Sequence, residues 1–263
     1  MTPKPLAQID GLMIDLDGTT YLGDRLLPGA AEFYHAARDL GKRILYITNN
    51  SSRGPEQYAN KLRCLGIPAR DDELFTSGEA TLIYLKQKAC RSVFPIATTE
   101  LRRMMVDAGL EIDDEDPDCV VVGFDTELTY EKLKTGCLLL RKGARLVATH
   151  PDPVCPMAEG EVPDAGSILA LIETATGRTP EMIVGKPNPL MLELGLKRLK
   201  LPKGSVVMIG DRISTDVAMA EHAGVTSVLV LSGVTTPEEA ETSRHRIDYV
   251  VQTMADIIPM LTS

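Results

Sequence analysis

The sequence predicts an α/β protein: a Rossmann-like, doubly wound parallel sheet interrupted by a smaller inserted α/β domain. Three observations lead there. Apolar runs of strand length alternate with helical patterns along the whole chain, the rhythm of βα units and a parallel sheet. Several of the predicted strands end in polar residues, at the edge where open α/β sheets bind ligands. Between the second of these polar tips and the third lies a stretch of roughly a hundred residues, 89–181, with its own βα alternation, far more than the ~4–6 residues of an ordinary connection. That stretch must therefore fold as a domain of its own, and 263 residues suit two unequal domains. The expected division is a core of residues 1–88 and 182–263 with an insert of residues 89–181.

The elements follow in order. The first strand ends in Asp15-Leu16-Asp17-Gly18-Thr19-Thr20. Residues i and i+2 of a strand share a face, so Asp15 and Asp17 point the same way while the chain stays extended, and Gly18 permits a tight exit. A helix starts near Pro28 and stops at Gly41; another runs from Pro55 to about Gly66. Both use a proline start and a glycine stop. Thr76-Ser77-Gly78-Glu79 has capping-box spacing ahead of Leu82, Ile83 and Leu85, so a third helix begins there and closes the first half of the core. In the insert the expectation is strand 93–97, helix 100–108, strand 119–124, helix 130–142, strand 145–149 and helix 167–176. The core then resumes with strands 206–209, 227–231 and 249–251.

Four polar tips carry the chemistry. Two carboxylates as close as Asp15 and Asp17 repel, which invites a hard divalent cation or a shared proton and lets one attack while the other moves protons. Read alone, the same residues also make a solvated turn. The strand Arg43–Ile47 ends in Thr48-Asn49-Asn50, where a hydroxyl and successive backbone N–H groups suit a phosphate, and equally a polar loop. Gly185-Lys186-Pro187-Asn188-Pro189 sets a lysine at a helix entrance that Asn188 caps, a point charge for a phosphoryl group. Gly210-Asp211 with Asp216 five residues on reads as strand, acidic loop and helix. Asp211 would complete the oxygen shell of a magnesium ion, and Asp216 would hold the lysine or a water.

In this order the four motifs resemble those of the haloacid dehalogenase superfamily. The Thr48-Asn49-Asn50 wording and the long gap before Lys186 are similar to NagD-like phosphatases of the 4-nitrophenylphosphatase type, and the likeness spans nearly the whole chain. The resemblance implies that Asp15 attacks phosphorus. It also implies that Asp17 protonates the leaving oxygen and then activates the hydrolytic water. Mg2+ would be held by the Asp15 side chain, the Asp17 carbonyl and Asp211. Thr48, Asn49, Asn50 and Lys186 would bind the phosphate, with Asp216 supporting them. The insert corresponds to the α/β cap of such enzymes, and the family's dehalogenases lack the acid at Asp17. The expected function is therefore a magnesium-dependent phosphatase of small phosphomonoesters acting through an aspartyl phosphate. A phosphotransferase or phosphomutase, or a non-catalytic phosphometabolite-binding module, would use the same motifs. Nucleotides, sugar phosphates, phosphoglycolate and 4-nitrophenyl phosphate all satisfy the core.

Composition narrows the partners. With 37 acidic and 28 basic residues the formal charge is −9, which disfavours nucleic acid and anionic membranes. The partner is a small phosphorylated metabolite, and the resemblance also suggests a homodimer. Cys64, Cys90, Cys119, Cys137 and Cys155 show no metal-ligand or disulfide spacing, so buried free thiols in a reducing cytosol are expected. Met1 to Gln8 lacks a charged region followed by an apolar stretch, so a soluble, cytoplasmic protein is expected. Specificity is expected on loops of the insert: Gly123 to Thr126, His150 to Pro153 and Pro163 to Gly166. Arg53, His35, His222 and His245 read as solvated or structural.

Overall fold

Strands that are apolar at every position can be buried on both faces, and the central strands here are. The computed structural model describes residues 4–157 and 160–262, so Met1 to Pro3 of the N-terminal segment lie outside it. A six-stranded sheet runs in the order Tyr249–Val251, Thr226–Val230, Val206–Gly210, Gly11–Asp15, Arg43–Thr48, Leu74–Thr76. Each pairing from Tyr249–Val251 to Arg43–Thr48 is parallel. All five residues of Gly11–Asp15 and of Val206–Gly210 are buried.

Alternation along these strands divides the core. Leu12, Ile14, Tyr46, Val207 and Ile209 face a cluster with Phe33, Tyr34 and Ala37 of helix Ala30–Asp39 and Tyr58 and Leu62 of helix Pro55–Cys64. Met13 and Leu45 face the other way, against Gly195 of helix Pro189–Leu199. Helices on both faces are what a fully buried parallel sheet requires. Asn188 caps Pro189–Leu199 by accepting from the Leu190 N–H, as its spacing predicted.

Contacts divide the chain into two units. One comprises the chain through Thr48, Pro55–Phe75 and the chain from Lys186 onward; the other comprises Asn49–Gly54 and Thr76–Gly185. The second has its own parallel five-stranded sheet, ordered Met182–Ile183, Arg145–Ala148, Cys119–Val122, Ser92–Ile96, Glu111–Ile112. Helices Tyr130–Lys142 and Ala165–Thr176 cover it through Leu139, Leu140, Ile168 and Ile172.

The structure differs from expectation in three places. Helix Ser77–Gln87 was expected in the core, yet its contacts lie in the second unit: Ser77 Oγ donates to the Asn49 carbonyl and Gly78 lies against Leu101. An antiparallel hairpin, Val154–Met157 with Gly160–Pro163, occupies a stretch where no element was expected. Pro156 and Pro163 argue against a strand in sequence, but a two-stranded ribbon is all edge and tolerates proline. The helix after Asp211 opens with a π-helical turn, Ile213–Val217, before Ala218–Ala223.

Candidate active site

The first strand ends at Asp15, and the chain turns at once. The N–H groups of Thr19, Thr20 and Tyr21 all donate to the Leu16 carbonyl, and Gly18 N–H donates to the Tyr21 carbonyl at 2.9 Å. Asp17 therefore sits on the turn, half-buried, and not on the strand with Asp15. Gly18 has φ +93, and a Cβ there would stand 2.4 Å from Asp211 Oδ2. Only glycine satisfies both the left-handed backbone and the space.

Three carboxylates and one ammonium meet at the carboxyl edge of the sheet. Asp15, Asp211 and Asp216 offer oxygens all within 4.8 Å of one another, and all three residues are buried. Lys186, 3% exposed, donates to Asp15 Oδ1 and, at 2.7 Å, to Asp216 Oδ1. The second Asp216 oxygen accepts from the Arg212 N–H at 3.2 Å, so this carboxylate is occupied on both sides and orients the lysine. Asp211 Oδ2 accepts from the Val234 N–H at 2.8 Å. That leaves Asp15 Oδ2 and Asp211 Oδ1 facing one hydroxyl, Thr19 Oγ1, at 3.4 and 3.1 Å. A hydroxyl has a single proton to give, so it cannot serve both carboxylates at once.

The electrostatics follow from that count. Burial pushes the Asp15 carboxyl well above the usual carboxylate range; Lys186 opposes the shift, while Asp216 and Asp211 add to it. Asp211 is pushed up to about 6, by burial first and then by Asp216. Burial works against the Lys186 ammonium, but Asp15 and Asp216 outweigh it and hold the proton more firmly than in free lysine. The carboxylates that press on Asp15 come from nearly two hundred residues further on, rather than from Asp17. Three ionised carboxylates against one ammonium leave a charge of −2, which one divalent cation cancels. Asp15 Oδ2 and Asp211 Oδ1 are hard oxygen donors, the set that suits magnesium or calcium.

A buried chain of hydroxyls supports Asp15 from below. Thr20 Oγ1 donates to the Asp15 carbonyl at 2.9 Å, and Tyr34 Oη lies 2.6 Å from Thr20 Oγ1. With the Thr20 proton committed, Tyr34 is the donor. Thr19, Thr20 and Tyr34 had no role in the sequence reading. The motif contained the threonines, but nothing in sequence joins Tyr34 to them.

The other predicted residues are dispersed. Thr48 is buried and follows Ile47, the residue paired with Asp15 in the neighbouring strand. Asn49 and Asn50 have side-chain partners in the second unit: Asn49 Nδ2 donates to Asp152 Oδ2 at 2.9 Å, and Asn50 Oδ1 accepts from Ser52. Of the expected specificity loops, Asp125 is locked in a buried ion pair with Lys132 at 2.8 Å. His150, expected on a loop, is wholly buried between Asp152 and Asp164 at 3.5 and 3.4 Å. Arg53 is exposed, as read. All five cysteines are free, but Cys64 is exposed because it ends an amphipathic helix on its outer side.

A parallel sheet with an acid–lysine cluster at its carboxyl edge defines a class, and the comparisons agree. The haloacid dehalogenase-like hydrolase family matches residues 12–111, and the HAD-hydrolase-like family matches residues 183–257. The chain belongs to the haloacid dehalogenase-like hydrolases, in their NagD-like branch, and is a phosphoric monoester hydrolase. It is 40% identical over 231 residues to the acid sugar phosphatase of Staphylococcus haemolyticus, covering 87% of this chain and 88% of that one. It is 35% identical over 252 residues to the 5'-nucleotidase YutF of Bacillus subtilis, covering 95% and 98%. The crystal structure of 4-nitrophenylphosphatase from Thermotoga maritima superposes with a TM-score of 0.94 at 45% identity, covering 98% and 99%. Among the described residues no helix is long and apolar enough to cross a membrane.

Proposed function

We propose that this enzyme hydrolyses small phosphomonoesters, sugar phosphates or nucleotides, with magnesium, through an aspartyl phosphate (an acyl phosphate) on Asp15. The observation that carries the reading is the buried Asp15–Lys186–Asp216–Asp211 cluster with its uncompensated charge. The named activities of the three relatives support the substrate class.

Asp15 is the nucleophile: its carboxylate oxygen bonds to phosphorus as the bond to the leaving oxygen breaks. Asp17, half-buried on the turn after the strand, gives that oxygen its proton, a step worth roughly 10²–10⁴-fold. It then takes a proton from the water that attacks the phosphoryl-aspartate, releasing phosphate and restoring Asp15. One difficult displacement becomes two easier ones. Lys186, fixed by Asp216, neutralises the charge that builds on the transferred group. Asp15, the Asp17 carbonyl and Asp211 would hold the magnesium ion, which when bound supplies charge neutralisation at the phosphoryl oxygens. Thr48 with Asn49 and Asn50 is assigned to the phosphate, and the stretch Thr76–Gly185 of the second unit to the cap that reads the leaving group. A reducing, cytoplasmic setting suits the five free thiols.

The test is phosphate release from a panel of phosphomonoesters with and without magnesium, wild type beside Asp15→Asn. Metal-dependent release that falls at least ~10³-fold in the variant is expected. Release unaffected by Asp15→Asn would sink the assignment.

A further inference from the structure

At the opposite end of the core sheet lies a second concavity whose charge contradicts that of the chain. A recess of about 260 Å³ opens beside Arg43 and Ile44, where the Arg43–Thr48 strand begins. Five cations line it, Arg38, Lys42, Arg43, Arg70 and Arg198, against two carboxylates. A protein of net charge −9 thus concentrates a net +3 around one small hollow.

The carboxylates account for two of those charges. Arg38 forks Glu73 through both oxygens, at 2.6 and 2.5 Å, and Arg70 Nε bonds Asp72 Oδ1 at 3.0 Å. Lys42 and Arg43 are held differently. Lys42 Nζ donates to the Ala7 and Ile9 carbonyls, and Arg43 Nη1 donates to the Leu199 carbonyl at 2.9 Å. Carbonyl oxygens satisfy donors and fix the side chains in place, but they cancel no charge. Arg198 is likewise positioned, with Nε on the Asp72 carbonyl at 3.0 Å and its guanidinium 5.4 Å from the Phe75 ring centre. Lys42 and Arg43 are therefore preorganised by neutral carbonyls, the arrangement that favours an anion over a further protein carboxylate.

We propose that this recess binds a phosphate-bearing small anion, at a site separate from the catalytic one. The volume is just below the ~300–1,000 Å³ of sites for drug-sized ligands, which suits a compact polyanion. Arginines at the rim match phosphate geometry, and net +3 favours an ion of more than one charge. The separation is set by the strand: Arg43 and Thr48 are its two ends, about 17 Å apart at ~3.3 Å per residue.

Free phosphate and the phosphate group of a metabolite share this chemistry. They are told apart by titrating the metal-free protein with inorganic phosphate and with adenosine 5'-monophosphate while following the arginine Nε–H resonances by NMR. Saturable shifts at Arg43 and Arg198 are expected with at least one of them, unchanged in Asp15→Asn, and the tighter ligand identifies the source. Arg43→Gln and Arg198→Gln should each weaken binding about tenfold while phosphomonoester turnover stays within twofold. Two substitutions at different exposures guard against a local packing defect. Shifts that do not saturate, that chloride reproduces at matched ionic strength, or that survive both substitutions would overturn the proposal.

Discussion

Asp15 gains its chemical character largely from groups far from it in sequence, Lys186, Asp211 and Asp216. Its carbonyl is tied to Thr20 and through it to Tyr34, and its carboxyl to Lys186. Tyr34→Phe keeps the packing of the ring against Tyr46 and removes only the donor at the end of the chain. It is expected to lower kcat roughly fivefold, about 1 kcal/mol, with KM nearly unchanged, in steady-state kinetics. Lys186→Ala removes the ammonium bonded to these buried carboxylates. The metal-free variant should lose about 3–5 kcal/mol in urea unfolding, and saturating magnesium should restore part of it. An unchanged midpoint would show that the ion pairs carry no net stability. Asp15 and Lys186 were legible as motif members in sequence, and Tyr34 was not. Their mutual geometry was not, because a carboxylate's environment is set by whatever the fold places beside it.

Turns and caps were the most readable elements. Thr76 accepts from the Glu79 N–H at 3.1 Å and Glu79 returns a bond to the Thr76 N–H, the reciprocal capping expected from four letters of sequence. Thr76→Ala should cost about 1 kcal/mol, seen as a lowered Tm with kinetics unchanged. The turn after the first strand behaves differently, because two demands meet at Gly18. Gly18→Ala must carry a side chain at φ +93 and displace Asp211, so activity and stability should fall together and magnesium affinity with them. Normal magnesium binding in that variant, read by calorimetry, would contradict the placement of Asp211. The hairpin at 154–163 shows where element reading fails: prolines that exclude a central strand are harmless in a two-stranded ribbon.

For the whole molecule the balance of buried charge makes stability depend on pH. The Asp211 carboxyl titrates near 6 in the fold against 3.8 ordinarily, so between those values the folded chain holds a proton that the unfolded chain has released. Stability of the metal-free protein is therefore favoured below about pH 4 and is lost as pH rises through about 6, by on the order of 3 kcal/mol from this group. Urea unfolding in EDTA at pH 5 and 7.5 should show the decline, and Asp211→Asn should lessen it, leaving the part that Asp15 contributes in the same direction. Magnesium should reverse it, since the ion prefers the carboxylate. The order of strands, the polar tip on each and the glycine and proline punctuation follow from stereochemistry acting over a few residues, and so were written in the chain. The company of Asp15 with Asp211 and Asp216, the hydroxyl chain to Tyr34 and the cationic recess at Arg43 required the sheet to assemble. The acid cluster and the recess join segments far apart in sequence, brought together by the parallel register of neighbouring strands, while the hydroxyl chain depends on helix Ala30–Asp39 packing against the sheet.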